Sequence, residues 1–281
     1  MDINSTKAVV SDTLAHVAEK AQDTGWIMHH ILDGKELEFP PFGVIHLPEF
    51  HLFGIDISIT RHVVFMWLAV IILVLVLSRV ARAYKTSMVP KGVNNVMEVL
   101  ILFVRDEIAR PTIGKGYEKF VPYLLTAFFF ILTCNFLGLL PYGSTATSNI
   151  AVTASLATIS FIVIQGGGMM KNGAFGYFKG LLPHGLPFWL VPIMLVVEIL
   201  GLFTKPFALA IRLFANMTAG HIVILALLGL IFILQTYFVA PVSIAFALFI
   251  YLLEILVALI QAYIFTMLSS LFIGMAVHQE H

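Results

Sequence analysis

Arg212 interrupts a long apolar stretch, in the run Ala210-Ile211-Arg212-Leu213-Phe214-Ala215-Asn216-Met217. From Phe188 to Val277 the chain carries only four formally charged residues: Glu198, Lys205, Arg212 and Glu254. An arginine at the centre of a bilayer costs roughly 2.5–3.5 kcal/mol on insertion scales, and its pKa is too high for it to shed the charge. Two roles would account for it. It belongs to a charge or ion pathway, the default reading of an intramembrane cation, or it forms an ion pair that locks two helices.

Helical spacing decides which polar groups can act together. At ~100° per residue, Glu198, Lys205 and Arg212, each seven apart, drift only ~20° per step. Asn216 lies one turn past Arg212, so the four form one stripe. Gly201 and Ala208 lie along or near it, and small residues let another helix approach closely. His221, nine residues past Arg212, falls on the opposite face. On the last helical segment Glu254 and Gln261 are again seven apart, with Ala258 and Phe265 completing that side.

A bare carboxylate is costly in lipid, so Glu254 must be protonated, paired or wet. His221 and Glu254 could meet if the two segments close as a hairpin in the right register. Both groups titrate near the physiological range once burial shifts them, so the pair is a candidate proton relay. A hydrogen bond that only staples two helices is the alternative. Ten histidines are scattered without metal-ligand spacing, so no metal or other cofactor is expected. His29-His30 reads as solvated surface. Cys134 stands alone among Phe, Leu and Thr and reads as a small packing residue.

These groups need a membrane fold to hold them. The chain is 59% hydrophobic and 11% charged, with mean hydropathy +0.96, which excludes a soluble domain of 281 residues. With zero net charge nothing points to nucleic acid. Residues 1–60 are polar and acidic, with nine Asp or Glu against three Lys. Within them Thr6–Leu32 has helix-compatible composition, Phe39-Pro40-Pro41-Phe42-Gly43 breaks the pattern, and Val44–Thr60 suggests a short hairpin or irregular cap. No basic-then-apolar leader precedes them, so the segment is expected to stay on the protein.

Spans are expected at about 62–82, 120–140 and 149–165, with an amphipathic helix at about 92–112 along the cytoplasmic face, closed by Pro111. Gly166-Gly167-Gly168 is expected to end the third span. It lacks the lysine and strand context of a phosphate-binding loop. Arg79 and Arg82 close the first span and Lys85 and Lys91 follow it, which by the positive-inside rule puts the N-terminus outside and the C-terminus in the cytoplasm. Residues 188–232 and 236–277 read as two helices of about 45 and 42 residues. Each would be on the order of 60–70 Å long against a hydrocarbon core of ~30 Å, so they are expected to tilt steeply as a hairpin. Four short spans, broken near Pro206 and at Pro241–Ser243, are the alternative. The fold class expected is an all-α membrane protein of about five transmembrane helices.

Arg212-Leu213-Phe214-Ala215-Asn216-Met217-Thr218-Ala219-Gly220-His221 closely resembles the R-L-F-x-N-M-x-A-G segment of subunit a of the F-type ATP synthase. Glu198 and the Lys205-Pro206 step fit the same pattern. Asn135-Phe136-Leu137-Gly138-Leu139-Leu140-Pro141 looks like the outward end of an earlier span in that family, and Leu259-Ile260-Gln261-Ala262-Tyr263-Ile264-Phe265 resembles its last-helix motif. The resemblance runs from about residue 60 to the C-terminus.

It implies a stator role in a membrane motor, with no ATP chemistry on this chain. Arg212 would face the rotating c-ring, keep its carboxylates deprotonated and block a short circuit between two aqueous half-channels. Asn216 and Gln261 would support the arginine. His221 and Glu254 would line the outer half-channel, Glu198 would lie near the cytoplasmic one, and Lys205 would support that end. Some family members carry Glu and His in the opposite order at the positions of His221 and Glu254, so the pair's composition is kept with its order exchanged. The implied partners are the c-ring, the peripheral-stalk subunit b, the soluble F1 motor indirectly, and the lipid of a bacterial plasma membrane. His221 leans the coupling ion towards protons. The rival functions are a self-contained ion channel or secondary transporter, for which no convincing internal repeat is seen, and a purely structural membrane subunit.

Overall fold

The structure, a computed structural model, describes residues 33–278, apart from 35, 40–42, 50, 53–54, 57, 87–91, 141–142, 181–186, 188 and 235–237. The helix expected over Thr6–Leu32 and the His29-His30 pair lie outside the described residues. Before the first span, β1 (Glu36–Phe39) pairs antiparallel with β2 (Gly43–His46), from Glu36↔His46 to Phe39↔Gly43. A second small hairpin joins β3 (His51–Leu52) to β4 (Ile55–Asp56).

The rest is helical. Helix α1 is Arg61–Thr86. Helix α2 (Val93–Leu102) runs into a π-helical segment, Phe103–Ala109, and then α3 (Arg110–Ile113). Helix α4 is Val121–Leu139, α5 is Ile150–Asn172 and α6 is the short Ala174–Lys179. Helices α7 (Val191–Leu234) and α8 (Ala240–Val277) complete the chain. Five of these, α1, α4, α5, α7 and α8, are long and apolar enough to cross a membrane. The protein is a multi-pass all-α membrane protein. Its exposed surface suits that setting: Trp67, Ile71 and Leu75 on α1 and Val196, Leu200 and Phe207 on α7 are large, apolar and more than half exposed. Such a surface is a liability in water and ordinary against lipid tails.

The chain divides into two compact units. One joins Met1–Arg61 to Thr218–Leu253, and the other joins His62–Met217 to Glu254–His281. In the second unit Val104 and Ile108 from the π segment, Leu124 and Ile131 from α4, and Leu213 and Phe265 from α7 and α8 share one buried core.

Two boundaries differ from the sequence expectation, each for a local reason, and a third follows it. The glycine run does not stop α5, which continues to Asn172 and ends at Gly173 with φ +71°. A Cβ at Gly167 would strike the Phe120 ring, and one at Gly168 would strike the Tyr177 ring. Those glycines are there for close approach, a role they share with termination in sequence but not in space. Pro111 does not close the amphipathic helix, which continues to Ile113 before Gly114 at φ +72°. The widened hydrogen-bond spacing of the preceding π segment accommodates a proline that the regular i→i−4 ladder would reject. Finally, α7 runs through Pro206 unbroken, and Pro241 lies in the first turn of α8, where a missing N–H costs nothing. Two long helices, not four short ones, form the last third.

The far end of α8 is tied down at several points. Thr112 and Ser270 share a hydroxyl hydrogen bond, Asn172 Nδ2 donates to the Ala276 carbonyl at 3.2 Å, and Gly274 lies against the Thr112 carbonyl. A methyl group at Gly274 has backbone, not a flexible side chain, in its way. Gly274→Ala is therefore expected to destabilise the protein by about 1–3 kcal/mol, the usual range for overpacking. A lowered thermal midpoint of the detergent-solubilised protein is the check, with Gly166→Ala, where a Cβ meets open space, as the silent control.

Candidate functional site

The polar stripe of α7 is built as its spacing requires. Leu209, Leu213 and Met217 are at most 2% exposed and turn one face of the helix into the core. That leaves Arg212 exposed among apolar neighbours. Among the described residues no hydrogen bond or ion pair holds it. The helix-locking ion pair considered from sequence therefore has no counterpart within this chain's described part. Beside it, Asn216 Nδ2 donates to Gln261 Oε1 at 2.9 Å, joining α7 to α8. Gln261 is buried, and Ala258 and Ala262 around it are fully buried, so small residues bring the two backbones together here. The bond fixes the Asn216 amide one turn from the guanidinium.

Glu254, seven residues before Gln261, is buried at 4% exposure. The same region of the second unit carries a polar network that sequence reasoning missed. Asn135 Nδ2 donates to the Ala258 carbonyl at 3.2 Å, and its Oδ1 accepts from the Thr147 hydroxyl at 2.6 Å. His62 Nδ1 and the Ser144 hydroxyl lie 2.8 Å apart, both buried. Thr145, Ser148 and Thr153 are also buried. Residues 144–148, between α4 and α5, thus fold back as buried polar structure. Only a count of Ser, Thr and Asn near the span ends could have signalled it. His221 is half-buried on the part of α7 that belongs to the first unit, and Glu254 belongs to the second.

At the C-terminal end of α8 lies a cavity of about 290 Å³. Glu198 and Lys205 from α7, Gln165 from α5, Tyr177 from α6 and His278 just past α8 line it. Lys205 Nζ stands 5.2 Å from the centre of the Phe272 ring, a cation–π arrangement that keeps its charge at the wall. Burial pushes the Tyr177 phenol above its ordinary pKa, partly offset by a hydrogen bond with Gln165, so it stays protonated. Ala258, in the polar network, and Met275, in the cavity wall, are roughly 25 Å apart along α8 at ~1.5 Å per residue. Fully buried Ala262 and Phe265 lie between. Two separate polar regions thus lie along the second unit, one at the middle and one at the C-terminal end of α8, and Arg212 with its Asn216–Gln261 support is on the long helices that also carry residues of both. Among the described residues no group of three or more His, Cys, Asp or Glu could hold a metal ion.

Five spans, an exposed cation in the apolar belt and two separated polar regions describe a membrane protein built for moving charge. The profile of the ATP synthase A chain family matches residues 63–274. The chain is 57% identical over 259 residues to ATP synthase subunit a of Chloroherpeton thalassium, covering 90% of this chain and 77% of that one. It is 55% identical over 266 residues to ATP synthase subunit a 2 of Chlorobaculum tepidum, covering 93% and 75%. To ATP synthase subunit a of Anaeromyxobacter sp. it is 47% identical over 292 aligned positions, covering 91% and 71%. The chain belongs to the ATP synthase A chain family. It is a multi-pass membrane subunit of an ATP synthase, with a part in its ion transport.

Asn216 and Gln261 couple energetically if their contact is as described. A double-mutant cycle of Asn216→Ala and Gln261→Ala, read as the stability of the detergent-solubilised protein, is expected to return about 0.5–1.5 kcal/mol, the range for interhelical hydrogen bonds in membranes. Strict additivity would mean the two amides do not meet.

Proposed function

We propose that this chain is the ion-translocating stator of the ATP synthase membrane motor. Arg212 faces the rotating c-ring, and two offset half-channels bring protons to and from it. The observation that carries this reading is the exposed guanidinium beside the Asn216–Gln261 bond, with Ala208, Ile211 and Ala215 exposed around it. A fixed cation attracts a deprotonated carboxylate on a moving partner and disfavours its protonation. As each carboxylate comes up to Arg212 it gives its proton to one half-channel, and as it leaves it takes one from the other. The positive charge between them repels a proton that would cross directly.

In this reading the Glu198 and Lys205 cavity is the inner half-channel. The network of His62, Ser144, Asn135 and Thr147, with Glu254 close by in sequence to its Ala258 anchor, belongs to the outer one. His221 completes that channel as relay partner of Glu254. Each proton crossing 100 mV releases ~2.3 kcal/mol, so several are needed per ATP. Helices of 44 and 38 residues exceed what an upright crossing needs, which supports steep tilts that follow a curved ring. Five crossings, an odd number, support termini on opposite sides, and the basic Arg79, Arg82 and Lys85 at the end of α1 favour an N-terminus outside and a C-terminus in the cytoplasm, in a bacterial plasma membrane. Subunit b and the soluble F1 motor are the remaining partners.

ATP-driven acidification of vesicles carrying Arg212→Ala tests the reading, with assembly verified by co-purification of the ring and the soluble motor. Pumping should be lost in an assembled complex. Near-normal pumping would make Arg212 a structural charge and sink the proposal. The relay has its own check. His221→Glu combined with Glu254→His is expected to pump better than either single variant, because it keeps one carboxylate and one imidazole in the pair. A double variant no better than the worse single one would dissolve the relay.

A further inference from the structure

His278 carries no role from the sequence, yet it stands at the mouth of the Glu198 cavity and is exposed there. It follows the last residue of α8, with its backbone N–H donating to the Gly274 carbonyl at 2.9 Å. Its ring is held from two other segments. Nε2 lies 3.3 Å from the Lys115 carbonyl, and Nδ1 lies 3.0 Å from Lys171 Nζ. A carbonyl accepts only and an ammonium donates only. Both contacts are met by the tautomer with its hydrogen on Nε2 and its lone pair on Nδ1 turned towards Lys171. His278 thus carries a proton acceptor on a side chain that is exposed to solvent and also lines a cavity able to hold several waters, each ~30 Å³.

We propose that His278 is the group through which the Glu198 cavity exchanges protons with bulk water; the proposal rests on the reading of that cavity as the inner half-channel. A hydronium ion or a buffer acid gives its proton to Nδ1. The new imidazolium and the Lys171 ammonium repel one another, and Lys171, on an exposed flexible stem, swings into solvent. The same proton then leaves Nδ1 for a cavity water on the Glu198 side, Lys171 returns, and the starting tautomer is restored. The Nε2 hydrogen never moves, so one proton has entered the cavity and nothing else has changed.

The other groups around the ring set the direction. Lys171 on α5 and the segment of Lys115 face it from solvent. Glu198 and Lys205 on α7 and Tyr177 on α6 share the cavity with it. Glu198 is the carboxyl among them and draws the proton inward. Lys205, held at the Phe272 ring, repels a proton from its own side of the wall. Tyr177, kept protonated by burial, does not compete as an acceptor.

The test is ATP-driven pumping by the whole ATP synthase carrying His278→Gln, followed across pH with and without added imidazole as a mobile proton carrier. The rate is expected to fall several-fold on the alkaline side, where free protons are scarce, to approach the parent rate on the acid side, and to recover with imidazole. A rate unaffected at every pH, or a loss that imidazole does not repair, would reduce His278 to a clasp that holds three segments together and would overturn the proposal. Should His278→Gln not assemble, Lys171→Ala answers the same question, because it uncaps Nδ1 and is expected to pump faster than the parent on the alkaline side; a slower rate at every pH contradicts the relay. Arg212→Ala run beside them separates the two levels. If it abolishes pumping while His278→Gln is silent, only this inference fails, whereas normal pumping in Arg212→Ala brings down the half-channel reading itself.

Discussion

An arginine that cannot discharge, held in the apolar belt of a membrane, is the constraint around which the rest of this protein is arranged. Among the described residues the cation is steadied and not neutralised. Buried Leu209, Leu213 and Met217 fix which way α7 faces, and the Asn216–Gln261 bond fixes the amide beside the guanidinium. In the proposed reading the charge is left for a partner, which is costly to the isolated subunit and useful to a motor. A cation neutralised at home would have nothing to offer a passing carboxylate.

The polar groups away from Arg212 follow the rule that buried donors and acceptors must meet. Asn135 satisfies both ends of its amide, through the Ala258 carbonyl and the Thr147 hydroxyl. Ser160 and Ser269 join α5 to α8 through a buried hydroxyl pair at 2.9 Å. Glycines at 167, 168 and 274 remove side chains where backbones or rings must touch. Together they tie the C-terminal half of α8 to the shorter helices. The two long helices can then be long without coming adrift, and the two polar regions keep their separation along α8.

Much of this was legible in the sequence. Seven-residue spacing put Glu198, Lys205 and Arg212 on one stripe, and the structure has Glu198 and Lys205 on one cavity wall with Arg212 exposed further along the same helix. Hydropathy gave the five spans, because burial in lipid leaves a compositional mark. What depends on contacts between distant segments was not legible. A glycine run reads alike whether it ends a helix or lets Tyr177 and Phe120 come close. Pro111 reads as a terminator unless the π segment before it is known. The pairing of His62 with Ser144, 82 residues on, and of His278 with Lys171, 107 residues before it, leaves no periodic trace.

The measurement that bears most directly on the central claim is disulfide trapping between α7 and the ring. Ala208 and Ala215 are exposed about one turn either side of Arg212 on its own face, while Phe207, 66% exposed, points well away from it. Cys134 is buried and stays silent in the background. Cysteines at 208 and 215, paired with one next to the ring carboxylate, should cross-link under mild oxidation and stop ATP-driven pumping until reductant is added. A cysteine at 207 should do neither. Cross-links that form as readily from 207, or none from 208 and 215, would contradict an Arg212 face turned to the ring.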